Sequence, residues 1–97
     1  MSIFIVAGLG NPGREYASTR HNAGFAVVEA LAARHHLAWR KQSRFDAVVS
    51  RWDRADGRTG VLARPQTFMN DSGCAVRALA EFYKVPLAEI IVVYDIL

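Results

Sequence analysis

The chain has 97 residues, of which 52% are apolar and 22% are charged. This length predicts one domain or a part of one, and the composition excludes an intrinsically disordered chain. The net charge of +3 is compatible with a polyanionic partner such as RNA but does not require one.

The number of cysteines and the N-terminal segment indicate the cellular compartment in which the chain is expected. Cys74 is the only cysteine, so no disulfide can form within the chain, and we expect it to be a small buried residue of a helix. A chain of this kind is expected in the reducing cytoplasm. The apolar segment SIFIVAGLG lacks a preceding basic region and is too short to span a membrane, so it predicts a buried strand.

The first half of the chain predicts a strand, a long loop and a helix. Residues 2–7 form the strand, which glycines end, and residues 8–21 form the loop. The helix begins after Asn22 as N-cap and ends near His36. Its apolar residues recur at helical spacing: Phe25, Val28, Leu31 and Ala32.

The second half predicts a hairpin, a helix and a last strand. Residues 45–51 and 59–65 are the hairpin strands, because Asp56-Gly57 between them favours a tight turn. A helix capped by Asn70 or Ser72 follows and runs to about Lys84. One of its faces is apolar: Val76, Leu79, Ala80 and Tyr83. The segment IIVVY, residues 90–94, is the last strand.

The order β-α-β-β-α-β predicts an α/β fold, with a mostly parallel sheet, flanking helices and one antiparallel hairpin. The last strand, IIVVY, is apolar on both faces. A buried parallel strand needs cover and a neighbour, yet the sequence ends three residues after Tyr94. The expected fold is therefore truncated before it is complete.

The segment GLGNPG, residues 8–13, matches the dinucleotide-binding pattern G-x-G-x-x-G through Gly8, Gly10 and Gly13. In that motif a helix begins at once, whereas here Asn11-Pro12 makes a turn and the predicted helix begins much later. The region of residues 30–40 also lacks the expected ribose-binding acid beyond the helix. The glycines are better explained by a tight backbone path that exposes Asn11.

Asn11, His21 and Asp95 form a candidate catalytic group. Loops at the carboxyl ends of strands line the crevice of an open α/β sheet, so Asn11 and Asp95 share it if the first and last strands are neighbours. His21 would reach the same crevice from the long loop. An imidazole held by a carboxylate is a general base that activates water, and a carboxamide orients water or stabilises an oxyanion. This chemistry suits hydrolysis of an activated ester.

Structural explanations of these residues stay open. A histidine beside an arginine, as His21 is, is commonly solvated or caps a helix, and Asp95 could cap a following element. His35 and His36 are adjacent and point apart on a helix, so no metal site is expected there without a third ligand.

Three segments of the chain closely resemble the signatures of bacterial peptidyl-tRNA hydrolases. They are VAGLGNPGREYASTRHNAGF at 6–25, RPQTFMNDSG at 64–73 and IIVVYD at 90–95. The resemblance implies hydrolysis of the ester between a peptide and the 3′-terminal ribose of tRNA, in a cytoplasmic and usually monomeric α/β enzyme without a cofactor. It implies that His21 is the catalytic base, that Asp95 orients it, and that Asn11 helps to select N-blocked substrates.

The same resemblance implies that Tyr16, Phe68 and Asn70 contact the substrate near the peptide and the tRNA end. Phe68 has a structural alternative as a core residue. The basic cluster Arg40-Lys41-Arg44 either contacts tRNA phosphates or is a solvated face, and the second interpretation is favoured.

Members of this family are about twice as long, so residues 1–97 are expected to be the N-terminal portion of a single hydrolase domain. Two hypotheses follow. In the first, the chain hydrolyses peptidyl-tRNA with the three catalytic residues present. In the second, it is an inactive fragment that binds RNA or self-associates through its exposed last strand.

Overall fold

The computed structural model of the chain describes residues 2–10, 22–66 and 72–94. These residues form five strands, two α-helices and two short 3₁₀ turns. In chain order the strands and helices are β1 Ile3–Gly8, α1 Ala23–Arg34, β2 Arg40–Gln42, β3 Ala47–Asp53, β4 Thr59–Pro65, α2 Ser72–Tyr83 and β5 Ile90–Val93. The 3₁₀ turns are Ser43–Phe45 and Leu87–Glu89.

The strands form one mixed sheet in the order β2-β3-β4-β1-β5. β1 pairs in parallel with both β4 and β5, whereas β2, β3 and β4 form an antiparallel meander. The predicted α/β class is confirmed, with one more antiparallel pairing than the sequence indicated. Since β1, β4 and β5 are parallel, their carboxyl ends meet at one edge of the sheet.

The extra pairing comes from β2, which sequence patterns did not predict. Its residues are Arg-Lys-Gln, so the alternation of apolar and polar side chains that marks a strand is missing. The strand predicted at 45–51 begins instead at Ala47, because Phe45 belongs to a 3₁₀ turn that Asp46 ends with a left-handed φ of 49°. Phe45 itself is buried in the core.

The sheet has a hydrophobic core on each face. On the face covered by α2, the fully or largely buried members are Ile5, Ala7, Phe45, Ala47, Val49, Val61, Ala63, Leu79 and Val85. On the face covered by α1, they are Phe4, Val6, Val28, Ala32 and Leu62. Alternate residues of β1 and β4 thus face opposite cores, as the period of a strand requires.

Both helices present the predicted apolar faces and end where the sequence indicates. Past α1, His36 adopts a left-handed φ of 56° and the Leu37 N–H donates to the Ala32 carbonyl over 2.9 Å. Past α2, Lys84 adopts a φ of 55° and the Val85 N–H donates to the Ala80 carbonyl over 2.9 Å. Left-handed residues of this kind satisfy the last carbonyls of a helix.

The burial expected for Cys74 is wrong, since this cysteine is exposed. The buried stripe of α2 runs through Ser72, Ala75 and Leu79. Cys74 precedes Ala75 by one residue, a rotation of about 100° around the helix that turns its side chain away from the sheet.

The predicted hairpin turn at Asp56-Gly57 is confirmed. Gly57 has a φ of 88°, which favours glycine, and the Asp56 carboxylate accepts hydrogen bonds from the Arg54 Nε–H at 3.1 Å and the Arg58 backbone N–H at 3.0 Å. The hydrogen bond from the Arg54 side chain, followed by that from Arg58, lowers the pKa of Asp56 below its usual value.

Candidate functional site at the carboxyl ends of β1, β4 and β5

The predicted site residues lie outside the described parts of the chain: Asn11, Tyr16, His21, Phe68, Asn70 and Asp95. The structure therefore describes the framework on either side of them. That framework consists of Gly10 after β1, Asn22 before α1, Gln66 after β4, Ser72 at the start of α2 and Tyr94 after β5.

β1 and β5 are direct neighbours, as the candidate catalytic group required. Gly8 is paired with Val93 in the parallel register. Beyond that pair, the Leu9 N–H donates to the Val93 carbonyl over 2.9 Å. The chain thus leaves β1 and β5 side by side, immediately before positions 11 and 95.

The first turn of α1 packs directly on these two strand ends. A Cβ placed on Gly24 would lie 2.5 Å from the backbone nitrogen and oxygen of Leu9, and closer still to the Val93 carbonyl oxygen. A Cβ on Gly8 would lie 2.8 Å from the Val28 side chain and would also overlap the Gly24 carbonyl. Since only glycine permits this approach, Gly8 and Gly24 hold the start of α1 against the ends of β1 and β5.

Gly10 also makes a close approach, to Asn22, the residue that follows His21 in sequence. A Cβ on Gly10 would lie 2.7 Å from the Asn22 Oδ1 and 3.0 Å from the Phe25 ring. Asn22 is buried and occupies the predicted N-cap position, although its side chain makes no capping hydrogen bond to α1. The tight backbone path predicted for the glycines is confirmed at Gly8 and Gly10, and Gly13 lies outside the described residues.

β4 brings a third chain segment to the same edge of the sheet. It runs parallel to β1, with Ala63 paired with Ala7. After β4, the Gln66 N–H donates to the Asp46 carbonyl over 2.6 Å, and the Gln66 Nε2–H donates to the Arg64 carbonyl over 3.1 Å. The carboxyl ends of the three adjacent parallel strands, β4, β1 and β5, therefore lie next to the chain segments 67–71, 11–21 and 95–97 in sequence.

An apolar groove of about 400 Å³ lies between α2 and β5. Its lining residues are Leu9, Ser72, Gly73, Val76, Arg77, Ala80, Val85, Leu87, Ile90 and Val92. Leu9 connects the groove to the edge where β1 ends. Sequence analysis placed Val76 and Ala80 on the apolar face of the helix and did not predict the groove, because an apolar helix face does not reveal whether another element covers it.

β5 is exposed along much of its length. Ile91, Val92 and Tyr94 are 55%, 41% and 54% exposed, although the sequence IIVVY is typical of a strand buried on both faces. In the described part of the sheet, β5 has β1 on one side and forms the edge on the other. Its outer backbone groups and apolar side chains together form an exposed, association-prone strand.

The remaining described residues provide two further observations about ligands and membranes. Among them, no group of three His, Cys, Asp or Glu side chains is arranged to hold a metal ion, and His35 stacks on Trp52 with 4.6 Å between ring centroids. No helix in the described ranges has the length and hydropathy needed to cross a membrane.

Comparison with known proteins places this framework in a family. The family model for peptidyl-tRNA hydrolase matches residues 5–97. A peptidyl-tRNA hydrolase from Carboxydothermus hydrogenoformans is 50% identical over 93 residues, covering 96% of this chain and 49% of the relative. One from Listeria monocytogenes is 44% identical over 91 residues, covering 94% of this chain and 48% of the relative.

The structural comparison agrees. The crystal structure of peptidyl-tRNA hydrolase from Acinetobacter baumannii superimposes with a TM-score of 0.91 at 39% identity, covering 98% of this chain and 48% of that protein. The chain spans about half the length of the curated relatives it matches. Sequence, family model and fold agree over nearly all of its residues, and the chain belongs to the peptidyl-tRNA hydrolase family.

Proposed function

We propose that the chain, as the N-terminal portion of a single hydrolase domain, takes part in hydrolysing the ester between a peptide and the 3′-terminal ribose of tRNA. The observation that carries the proposal is the pairing of β1 with β5. It joins the strand that precedes Asn11 to the strand that precedes Asp95, while Gly24 holds the helix that follows His21 against both strand ends.

In the proposed reaction, His21 takes a proton from water as the water oxygen attacks the ester carbonyl carbon. Asp95 orients the imidazole and stabilises the imidazolium that forms. Asn11 donates a hydrogen bond to the developing oxyanion or orients the water. When the tetrahedral intermediate collapses, the bond to the ribose oxygen breaks and that oxygen takes the proton. The products are a peptide carboxylate and a tRNA with a free terminal hydroxyl.

Tyr16, Phe68 and Asn70 are the proposed substrate contacts near the peptide and the 3′ end of the tRNA. Support comes from the framework around them, because β4 delivers the chain to position 67 at the same sheet edge as β1 and β5. Ser72, which is buried, then begins α2 on the other side of this loop. The proposed substrate is found in the cytoplasm, where we place the protein.

The decisive experiment measures release of N-acetyl-amino acid from an N-acetyl-aminoacyl-tRNA by the purified 97-residue chain. His21→Ala is expected to lower turnover by about 10²–10⁴, the usual contribution of a general base. His35→Gln is the matched control, since His35 stacks on Trp52 outside the site framework and its replacement should leave turnover unchanged.

Two results would contradict hydrolysis through His21 by these 97 residues. Equal turnover by the parent chain and His21→Ala would assign the activity to another group or to a contaminating enzyme. No turnover by the parent chain, in a preparation with native-like circular dichroism, would mean that these 97 residues do not form a working site by themselves.

A second candidate function is self-association without turnover, and the exposed apolar face of β5 favours it. A second copy that pairs with the outer edge of β5 would satisfy backbone hydrogen bonds and cover Ile91 and Val92. Sedimentation velocity at increasing concentration and the turnover assay together distinguish the two functions. Self-association without turnover predicts a concentration-dependent dimer and no released product, whereas hydrolysis predicts release of product and requires no dimer.

A further inference from the structure

The positive charges of the described residues fall into two groups. Arginines of the first group are paired with carboxylates: Arg51 with Asp53, Arg54 with Asp56, Arg58 with Glu89, Arg64 with Glu29 and Arg77 with Glu81. Cations of the second group form no ion pair within the described ranges: Arg34, Arg40, Lys41, Arg44 and Lys84. All of the second group are exposed.

Most of these unpaired cations lie at one side of the molecule. Arg40 and Lys41 are on β2, the edge strand opposite β5, and Arg44 is in the 3₁₀ turn that follows. Lys84 follows α2, whose last turn packs on that 3₁₀ turn. We call Arg40, Lys41, Arg44, Lys84 and the neighbouring Phe82 the basic edge.

The strand register determines how the basic edge is presented. Arg40 is paired with Val49, which belongs to the core on the α2 side, so Arg40 projects toward the same side as α2. Lys41 is paired with Val48 and projects toward the opposite face. Charges therefore flank the free edge of β2 on both faces, which suits a polyanion that runs along the edge.

Arg44 is held in place by an exposed aromatic ring. Its guanidinium lies 4.6 Å from the centroid of Phe82 and 5.3 Å from that of Phe45. Phe45 is buried and packs edge-to-face on Phe82 at 5.1 Å, whereas Phe82 is 49% exposed. A cation–π contact orients the planar guanidinium without neutralising its charge, so Arg44 remains available to an anion.

We propose that the basic edge binds the phosphate backbone of RNA. Arg40, Lys41 and Lys84 supply charge, and Arg44 on Phe82 supplies a planar group for bidentate phosphate contact or base stacking. The basic edge lies four strand spacings from β5, about 19 Å across the sheet, and its Arg44 end lies two residues from Asp46, whose carbonyl accepts the Gln66 N–H after β4. Identification of this RNA as tRNA rests on the proposed function.

RNA fits the basic edge better than an anionic membrane does. Membrane-bound basic surfaces carry several apolar residues that insert beside the charges, whereas Phe82 is the single apolar member of the basic edge and its ring contacts the Arg44 guanidinium. Asp46, an exposed carboxylate two residues after Arg44, adds a negative charge that a uniformly anionic bilayer surface would meet. A phosphate backbone offers discrete charges that can contact the cations and avoid this carboxylate.

The test is fluorescence anisotropy of a labelled, deacylated tRNA titrated with the 97-residue chain over a range of KCl concentrations. Arg40→Gln/Lys41→Gln is expected to reduce the slope of log K against log [KCl] by about two, since each neutralised phosphate contributes about 0.9. If the variant and the parent chain bind equally at 1 M salt, each phosphate that the variant no longer neutralises makes its binding at 0.1 M salt about eightfold weaker than that of the parent. Arg44→Lys should keep the slope and lower the affinity, because lysine keeps the charge but has no planar guanidinium.

The matched control is Arg51→Gln/Arg77→Gln, which removes the same total charge from ion-paired, exposed positions elsewhere. The proposal is wrong if this control changes the slope as much as Arg40→Gln/Lys41→Gln does. It is also wrong if Arg40→Gln/Lys41→Gln leaves RNA binding unchanged and weakens binding to phosphatidylglycerol vesicles instead. Thermal melting of each variant confirms that its fold is retained.

This experiment separates the basic edge from the catalytic proposal. Deacylated tRNA has no ester to hydrolyse, so His21→Ala should bind it with the same salt slope as the parent chain. A chain that binds tRNA through the basic edge but shows no turnover would contradict the proposed hydrolysis alone. Turnover with no contribution of the basic edge to binding would contradict this inference alone.

Discussion

Gly24 lies where three backbone segments approach one another closely. The carboxyl ends of β1 and β5 both contact the first turn of α1 there, and the atoms that a Cβ would meet belong to the backbone of Leu9 and Val93. A flexible side chain could move aside, but these backbone atoms are held by strand pairing and by the Leu9–Val93 hydrogen bond. The close approach therefore depends on glycine at this position.

Gly24→Ala is expected to lower the free energy of unfolding by about 1–3 kcal/mol, the usual cost of overpacking, despite the higher helix propensity of alanine. Gly73→Ala is the matched control, because a Cβ on Gly73 of α2 would meet no atom of the described residues within 4 Å. That substitution should be neutral or stabilising by up to about 1 kcal/mol. Urea denaturation of both variants measures the difference, and equal midpoints would contradict this account of the α1 contact.

β5 has the composition of an interior strand and the position of an edge strand. Val92 lines the apolar groove, Ile91 points to the other face, and both are exposed. Edge strands of soluble proteins usually carry charged residues or proline that prevent pairing between molecules, and β5 has neither. This strand is therefore the part of the described molecule best suited to pair with another chain.

We expect the chain to show a sedimentation coefficient that rises with concentration, and Val92→Lys to reduce that rise by placing a charge on the exposed strand. Val27→Lys is the control, since Val27 is an apolar residue of similar exposure, 48%, that belongs to α1 and not to the β5 edge. Loss of association in both variants would indicate a general effect of added charge. Association that is unchanged by Val92→Lys would exclude the β5 edge as the contact.

Protection of the backbone amides from hydrogen exchange is expected to decrease from the central strands of the sheet toward its edge strands. β1 is hydrogen-bonded on both sides, to β4 and β5, and its residues Phe4 to Ala7 are buried between the two cores. Within the described part of the sheet, β2 has one neighbouring strand and three residues, none of them buried. Local unfolding therefore breaks fewer hydrogen bonds and buried contacts at β2 than at β1.

Amide hydrogen exchange should be slowest in β1 and β4 and fastest in β2, with β5 between them because its outer edge is exposed. Exchange measured residue by residue in dilute solution tests this order. Exchange from β5 as slow as that from β1 would indicate that its outer edge is covered, and dilution that restores fast exchange would identify a second copy as the cover.

Local patterns predicted most elements of this fold. The 3.6-residue spacing of Phe25 and Val28, the Asp56-Gly57 turn and the apolar run of β4 each describe neighbours along the chain. These features are confirmed in the structure, with helix ends within two residues of their predicted positions. β2 and Cys74 were the exceptions, since a charged edge strand has no apolar period and one cysteine has no pattern of its own.

The candidate site, like the fold, could be predicted from the sequence in part. Sequence motifs identified Asn11, His21 and Asp95 and the family to which they belong, and their roles stay predictions. Their spatial relation depended on whether the first and last strands are neighbours, which the sequence left conditional.

Residue types and spacing thus determined the α/β class, the family and the side chains available for chemistry, because these follow from local preferences and covalent order. Strand order, the exposure of β5, the contact at Gly24 and the grouping of unpaired cations at β2 were decided by tertiary structure. Each of them depends on pairing between segments far apart in the chain, where burial and hydrogen bonding of the whole sheet select one arrangement among several that are locally equivalent.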